Sequence, residues 1–313
     1  LTVPISPNGK FFTLIEAGAG EGLDGRLPTL WGFNGACDSD EHLRLSEMWY
    51  EHRLFGQRVA LKIGKLDLNA PSGWHESAFD ANAVANDEHT QFLSGGFVNN
   101  LATGFPVDYS FGATLWASPH ELWDIGIGAA ESDADFDDVL QGLFSIVEVD
   151  FKPKIGNRQG HYRIYGWHNG TDHQDLRNPA GQHAHNQGFG LSFDQEITEL
   201  VTLFGRYGSQ RDRVSQVGRA WSAGLQLLGK GFGREDDVLG LAYGTAIVST
   251  AWREFQMTGG QDPRDEHRVE IYYSWKVNGH LAITPDIQWV RNPNGDGEAG
   301  GAWALAVRAH LIF

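Results

Sequence analysis

WALAVRAHLIF, residues 303–313, closes the chain with a period of two. Trp303, Leu305, Val307, Ala309, Leu311 and Phe313 fall on one face, and Ala304, Ala306, Arg308 and His310 on the other. A helix would scatter these residues around its circumference, whereas a strand sorts them into an apolar and a polar side. The preceding stretch, LAITPDIQWV at 281–290, places Leu281, Ile283, Pro285, Ile287 and Trp289 opposite Thr284, Asp286 and Gln288. RVEIYYSWK at 268–276 sets Val269, Ile271, Tyr273 and Trp275 against Arg268, Glu270, Tyr272, Ser274 and Lys276. GFGLSFD, RAWSAGLQLL, SFGATLWA and WDIGIGAA repeat the scheme, often with Gly, Ser or Ala on the second face. About fourteen such segments of roughly ten residues are legible, the length a tilted strand needs to cross a bilayer.

The connections carry an independent signal. If the last strand runs inward and directions alternate backwards, one set of turns is short: around Phe55, Pro119, Lys154, Glu196, Lys230 and Asn278. The other set is long, at about 20–41, 69–107, 169–186 and 247–267. A soluble two-sheet sandwich also has many alternating strands. It does not sort its loops by length onto two ends, as an outer-membrane barrel does. The expected fold is therefore all-β: a single transmembrane antiparallel β-barrel domain over residues 1–313, with the long loops, 69–107 above all, folding inward to narrow the lumen.

Composition agrees and excludes alternatives. The 313 residues include 40 Gly, 11 Trp, 18 Phe and 8 Tyr but one Cys, Cys37, so no intramolecular disulfide forms. Mean hydropathy is −0.34 and no stretch approaches the ~20 apolar residues of a membrane helix. Alternating barrel strands give such an average too. The net charge of −16 leaves no basic cluster to neutralise phosphates, which excludes a nucleic-acid partner. No secretory signal peptide is visible, as expected of mature exported sequence. Trp49, Trp116, Trp123, Trp167, Trp275, Trp289, Trp303 and Phe313 fall at or near strand ends, where aromatic rings favour the membrane interface.

LSEMWYEHRLFGQRVALKIGKLDLN, residues 45–69, and ITPDIQWVRNPNG, residues 283–295, followed by a last strand ending in Phe313, resemble the carbohydrate-selective porin family of Gram-negative outer membranes. The resemblance runs from about Phe11 to Phe313. It implies passive entry of small hydrophilic solutes, saccharides first among them, through a barrel in contact with outer-membrane lipid and lipopolysaccharide. It also implies sixteen strands, two more than are legible, and an N-terminal segment ahead of the part equivalent to FFTLIEAGAG. A monomer and a homo-oligomer fit equally. A general porin for other solutes and a scaffold barrel for partner proteins stand as alternatives, separated by whether the lumen is open.

Selectivity in such a pore comes from its width, charges and hydrogen-bonding groups. The inward face of each strand supplies Arg44, Lys62, Glu148, Arg163, Tyr165, Trp167, Arg206, Glu270, Tyr272, Asp286, Gln288 and Arg308 as lumen candidates. Guanidinium and carboxylate groups together bond sugar hydroxyls from both sides, and Trp167 beside Arg163 adds a ring face. The competing reading is that these charges form ladders that stiffen the wall.

One strand misfits. Leu43 and Leu45 define an outward face whose parity sends Glu47 and Glu51 into lipid, at high cost. A β-bulge near Ser46 would turn Glu47 inward. Elsewhere, His183 and His185, in a loop that also holds His168 and His173, match no standard zinc spacing. ESDADFDD at 131–138 lacks the Gly and distal Glu of a calcium loop. No metal or cofactor is called for. There is no nucleophile elbow, phosphate loop or HExxH motif, and the pair Glu148 and Asp150 alone makes a weak case for an enzyme.

Overall fold

The computed structural model describes residues 1–20, 22–35, 42–69, 78–106, 109–133, 142–178, 180 and 183–313. Its strands are β1 (Thr2–Ser6), β2 (Gly9–Gly18), β3 (His42–Leu54), β4 (Val59–Leu66), β5 (Ser110–His120), β6 (Trp123–Glu131), β7 (Leu143–Phe151), β8 (Lys154–Ile155), β9 (Arg158–Gln174), β10 (His183–Glu196), β11 (Val201–Gln210), β12 (Val217–Leu228), β13 (Val238–Val248), β14 (Glu266–Lys276), β15 (Leu281–Arg291) and β16 (Ala302–Leu311). Two short helices, α1 (Gly95–Val98) and α2 (Thr250–Thr258), lie in the long loops. Among the described residues, all sixteen strands belong to one meander in which each wall strand pairs antiparallel with the next, β7 with β9, and β8 only extends the β7–β9 turn. Among the described residues, no helix is long and apolar enough to cross a membrane.

Sixteen strands exceed the fourteen legible from alternation because β1 and β8, at five and two residues, are too short to display a period. The predicted loop at 169–186 is also shorter than expected. Strand pairing runs to Gln174 and resumes at His183, so only 175–182 lie between strands. The residues of that extension are polar on both faces yet pair across the ladder, so polarity there does not mark a loop.

Register places the alternating apolar set of the C-terminal strands outward. Between β14 and β15, Val269 faces Trp289 and Ile271 faces Ile287 on the outer side, while Glu270 faces Gln288 and Tyr272 faces Asp286 within. Leu305 and Val307 remain 78 % and 73 % exposed, as lipid-facing residues are before lipid covers them. β3 carries the bulge that its charges require: Leu14 pairs with Glu47 and Ile15 with Leu45, leaving Ser46 as the extra residue. Ser46, Glu47 and Glu51 are all buried inside.

The aromatic set divides. Trp123, Trp275 and Trp303 face outward, but Trp49, Trp116 and Trp167 are buried inside the barrel, a correction to their reading as membrane-interface residues. The glycine-rich inner face accommodates such rings. Tyr165 lies across its ladder partner Gly190, where a Cβ would come within 2.1 Å of the ring, and Tyr272 lies across Gly240 in the same way. A larger residue on either partner strand would displace the ring from the lumen wall.

The lumen is not empty. Residues 78–106 and 24–35, from the two long loops that flank β3 and β4, fold into the barrel and bury Phe79, Phe92, Phe97, Trp31 and Phe33. Phe92 packs edge-on against wall residue Tyr272 at 5.0 Å and against Phe204 at 5.6 Å. The expectation that 69–107 folds inward is met over its described part.

Candidate solute passage

A loop inside a barrel brings unpaired backbone groups with it, and each needs a partner. The wall supplies them, largely from the residues that strand parity had pointed inward. Arg206, on β11, donates to the carbonyls of Ala85 (2.5 Å), Phe97 (2.7 Å) and Asp80 (2.8 Å) and to Asn86 Oδ1 (3.0 Å). Glu148 accepts the Asp80 N–H at 2.7 Å. Glu270 accepts the N–H groups of Leu93 and Ser94 at 2.5 and 3.0 Å. Arg308 donates to the carbonyls of Glu88 (2.5 Å) and Gln91 (2.9 Å), and Gln288 to that of Phe33 (2.8 Å). Asn100 and Thr103 bond the Tyr165 hydroxyl at 2.8 and 2.9 Å.

These contacts correct the first assignment. Glu148, Arg206, Glu270, Gln288, Arg308 and Tyr165 do converge on the lumen, but in the role of clamps on the inner loops. Asp286 accepts from Gln288, its neighbour on the wall, at 3.0 Å and bonds no loop group itself among the described residues. Arg163 pairs with Asp194 at 2.8 Å, and Asp194 in turn accepts the Ala83 N–H at 3.3 Å. Trp167, 5 % exposed, stacks on Phe144 at 6.0 Å, and Gly104 lies against its ring, so no face is open to a sugar. Lys62 sits 4.8 Å over the Trp49 ring, whose stacking partner is Phe12 at 4.8 Å.

Open space lies beside the clamped loops. A cavity of about 510 Å³ opens between the two inner loops, strand β3 and the residues that follow β4, lined by Trp31, Arg44, Asp67, Asn69, Asn99, Asn100, Phe105 and Tyr109 among others. Arg44 is the one predicted lumen residue on its wall. Its guanidinium stands 5.2 Å over the Tyr109 ring and 3.7 Å from Glu16, whose carboxylate accepts the Tyr109 hydroxyl at 2.9 Å. Ser46, the bulge residue, also donates to Glu16. Asn69 bonds Asn99 across the cavity wall at 2.7 Å. A second cavity, of about 580 Å³, lies at the short-turn end, with Lys152, Lys154, Gln159 and His161 on its walls.

Glu16, Asp67, Asn69, Asn99, Tyr109 and Arg268 were not among the candidates. Glu16 and Arg268 sit on strands and were open to the parity argument. Arg268, fully buried, donates to the Gly32 carbonyl at 3.0 Å and lies 4.3 Å over Phe33. The others belong to loops or strand ends, where no period marks direction.

On the inner loop, burial pushes the Asp80 carboxyl up against the pull of Arg206. Burial also raises Glu88, while the hydrogen bond from His89 to Asp87 raises His89 and contributes to holding Asp87 low. Asp87, Glu88 and His89 bring ligand atoms within 4.8 Å of one another. The Asp87 carboxylate already accepts the His89 N–H and the Thr90 hydroxyl, which makes it the pivot of a turn. His168 and His185 meet edge to face at 5.4 Å on adjacent strands. The His183 side chain, Cys37 and residues 134–138 of the acidic stretch lie outside the described residues.

The sequence model of the OprB family, described as carbohydrate-selective porins, matches residues 5–313. The putative porin QuiX of Acinetobacter baylyi is 20 % identical, aligned over 86 % of this chain and 69 % of its own length. Porin B of Pseudomonas aeruginosa is likewise 20 % identical over 86 % of this chain and 68 % of its own. Among solved structures, the high-pH form of Pseudomonas putida OprB superposes with a TM-score of 0.82 at 17 % identity, covering 97 % of this chain and 83 % of that one.

Proposed function

Since the chain belongs to the OprB family of carbohydrate-selective porins, we propose that it passes small neutral saccharides and that the cavity beside Arg44 is where they are selected. The protein is an outer-membrane β-barrel channel; the identity of the selecting residues is the step taken here. The observation that carries it is the chemistry of the 510 Å³ cavity wall, a volume within the range of sites for small ligands. Arg44 and Asp67 offer donors and acceptors of opposite charge, and Asn69, Asn99 and Asn100 add planar amides. Tyr109 and Phe105 supply ring faces for the C–H side of a pyranose. Opposed charges bond hydroxyls without leaving a net field that would trap an ion. No bond is made or broken, and the solute moves down its own gradient.

Single-channel conductance in planar bilayers, titrated with glucose and short oligosaccharides, tests the reading. Sugar is expected to reduce conductance in the native channel, and Arg44→Ala to weaken that block roughly tenfold, the effect of losing one charge-assisted bond of about 1.5 kcal/mol. Equal block in the variant would move the site elsewhere. Conductance indifferent to sugar in the native protein would favour the general porin.

A further inference from the structure

The lipid-facing side of β12–β15 carries cations where lipid alone would not tolerate them. Trp221, Thr245, His267 and Arg291 follow one another across the four strands in a single row of cross-strand pairs on the outward face. Arg219 stands one step nearer the long-loop end, paired with Ile247. The next row towards the membrane centre runs through Tyr243, Val269, Trp289 and Trp303, an aromatic band. Arg219 and Arg291 are exposed, and neither has an ion-pair or hydrogen-bond partner among the described residues. His267 holds Tyr243 and Thr245 through Nδ1, at 2.9 and 3.1 Å, which directs Nε2 away from them. The neighbouring carboxylate, Asp265, is already engaged by the Val248 N–H at 3.0 Å and by Arg253 at 3.2 Å.

Unpaired arginines on a lipid-facing wall are costly at mid-membrane and cheap at the headgroup level, where an anion meets them. The aromatic band just below places them at that level. A chain of net charge −16 repels free anions as a whole, so an exposed cationic patch without internal partners calls for an anion held there by its own membrane anchor. Guanidinium groups bond phosphate oxygens in pairs. We infer that Arg219, His267 and Arg291 form a binding site for the phosphate groups of an outer-leaflet lipid, with its acyl chains lying over the aromatic band and the apolar residues beneath. The site lies on the outside of the wall and is independent of the solute cavity.

The test is retention of bisphosphorylated lipid A by the purified full-length protein in detergent, counted by native mass spectrometry. Retention by the native protein is expected to fall about tenfold or more in Arg219→Gln/Arg291→Gln, and to fall equally when the lipid is dephosphorylated. Excess inorganic phosphate is expected not to displace the lipid. Heat-modifiable gel migration and unchanged channel conductance show that the variant barrel is intact; if the double variant does not fold, Arg291→Gln alone is read the same way. Undiminished retention by a folded variant overturns the site, as does equal retention of dephosphorylated lipid. Displacement by inorganic phosphate would make it a free-anion site and overturn the lipid assignment.

Discussion

Arg206 and Asp80 face each other at 3.1 Å with side chains 2 % and 1 % exposed, one on the barrel wall and the other on the loop folded inside it. Around that contact a single guanidinium gathers three loop carbonyls and the Asn86 side chain, while Glu148 holds the Asp80 N–H from another strand. The constriction is therefore a structure imposed by the wall. Solute-facing and loop-holding charges are separate populations, and mutations in the two should fail differently.

Replacing Arg206 by Met leaves Asp80 buried and uncompensated, a change that typically costs about 3–5 kcal/mol. The barrel itself, built from fifteen paired wall strands, should survive. The expected outcome is a channel with larger and noisier conductance and a weaker sugar block, because residues 78–106 lose their anchor. Bilayer recordings of R206M read this directly. Native-like conductance steps would show that the remaining clamps at Glu270 and Arg308 suffice.

The bulge at Ser46 yields a prediction that runs against the usual expectation for deletions in strands. Leu14–Glu47 and Ile15–Leu45 are already consecutive pairs on β2, so removing Ser46 regularises β3 without moving any side chain to the other face. Deleting Tyr50, in a regular run, puts Glu51 in an outward position. Deletion of Ser46 should thus give a folded, heat-modifiable barrel lacking only the Ser46–Glu16 bond, and deletion of Tyr50 should not assemble. Equal failure of both would show that the bulge geometry is itself required.

Much of this was legible beforehand, for identifiable reasons. Period-two alternation defines both faces wherever a strand separates lipid from lumen, which is why Glu270, Gln288 and Arg308 could be aimed inward and why the misfit of Glu47 pointed to a bulge. What parity cannot supply is the occupant of the lumen. Arg206 reads as a pore-lining charge until Ala85 and Phe97 appear beside it, since a loop folded inside the barrel carries no period and its backbone carbonyls carry no residue identity. The burial of Trp167 has the same origin: its stacking partner Phe144 is a wall neighbour, but Gly104, which lies against its ring, comes from the loop. Asp67, Asn99 and Tyr109 belong to loops or strand ends, and only the folded chain brings them to Arg44.

Acidification should shift the ion preference of the channel through the inner loop. Glu88 and His89 lie within electrostatic reach of wall residue Glu16, and the Glu88 carbonyl is held by Arg308, which places both in the lumen. Burial raises Glu88, so it takes up a proton at a higher pH than an ordinary carboxylate, whose pKa is ~4. The hydrogen bond to Asp87 raises His89, so it too is protonated earlier as pH falls, while Asp87 itself is held low and stays ionised. Both shifts have the same sign: on going from neutral to mildly acidic pH the loop loses the Glu88 charge and gains the His89 charge, becoming more positive. Reversal potentials across a KCl gradient should show cation preference at neutral pH weakening as pH falls, starting above the range where ordinary carboxylates titrate. The double variant Glu88→Gln/His89→Gln should flatten that change while leaving sugar block intact. A change of the same size in the double variant would assign the titration to other lumen groups.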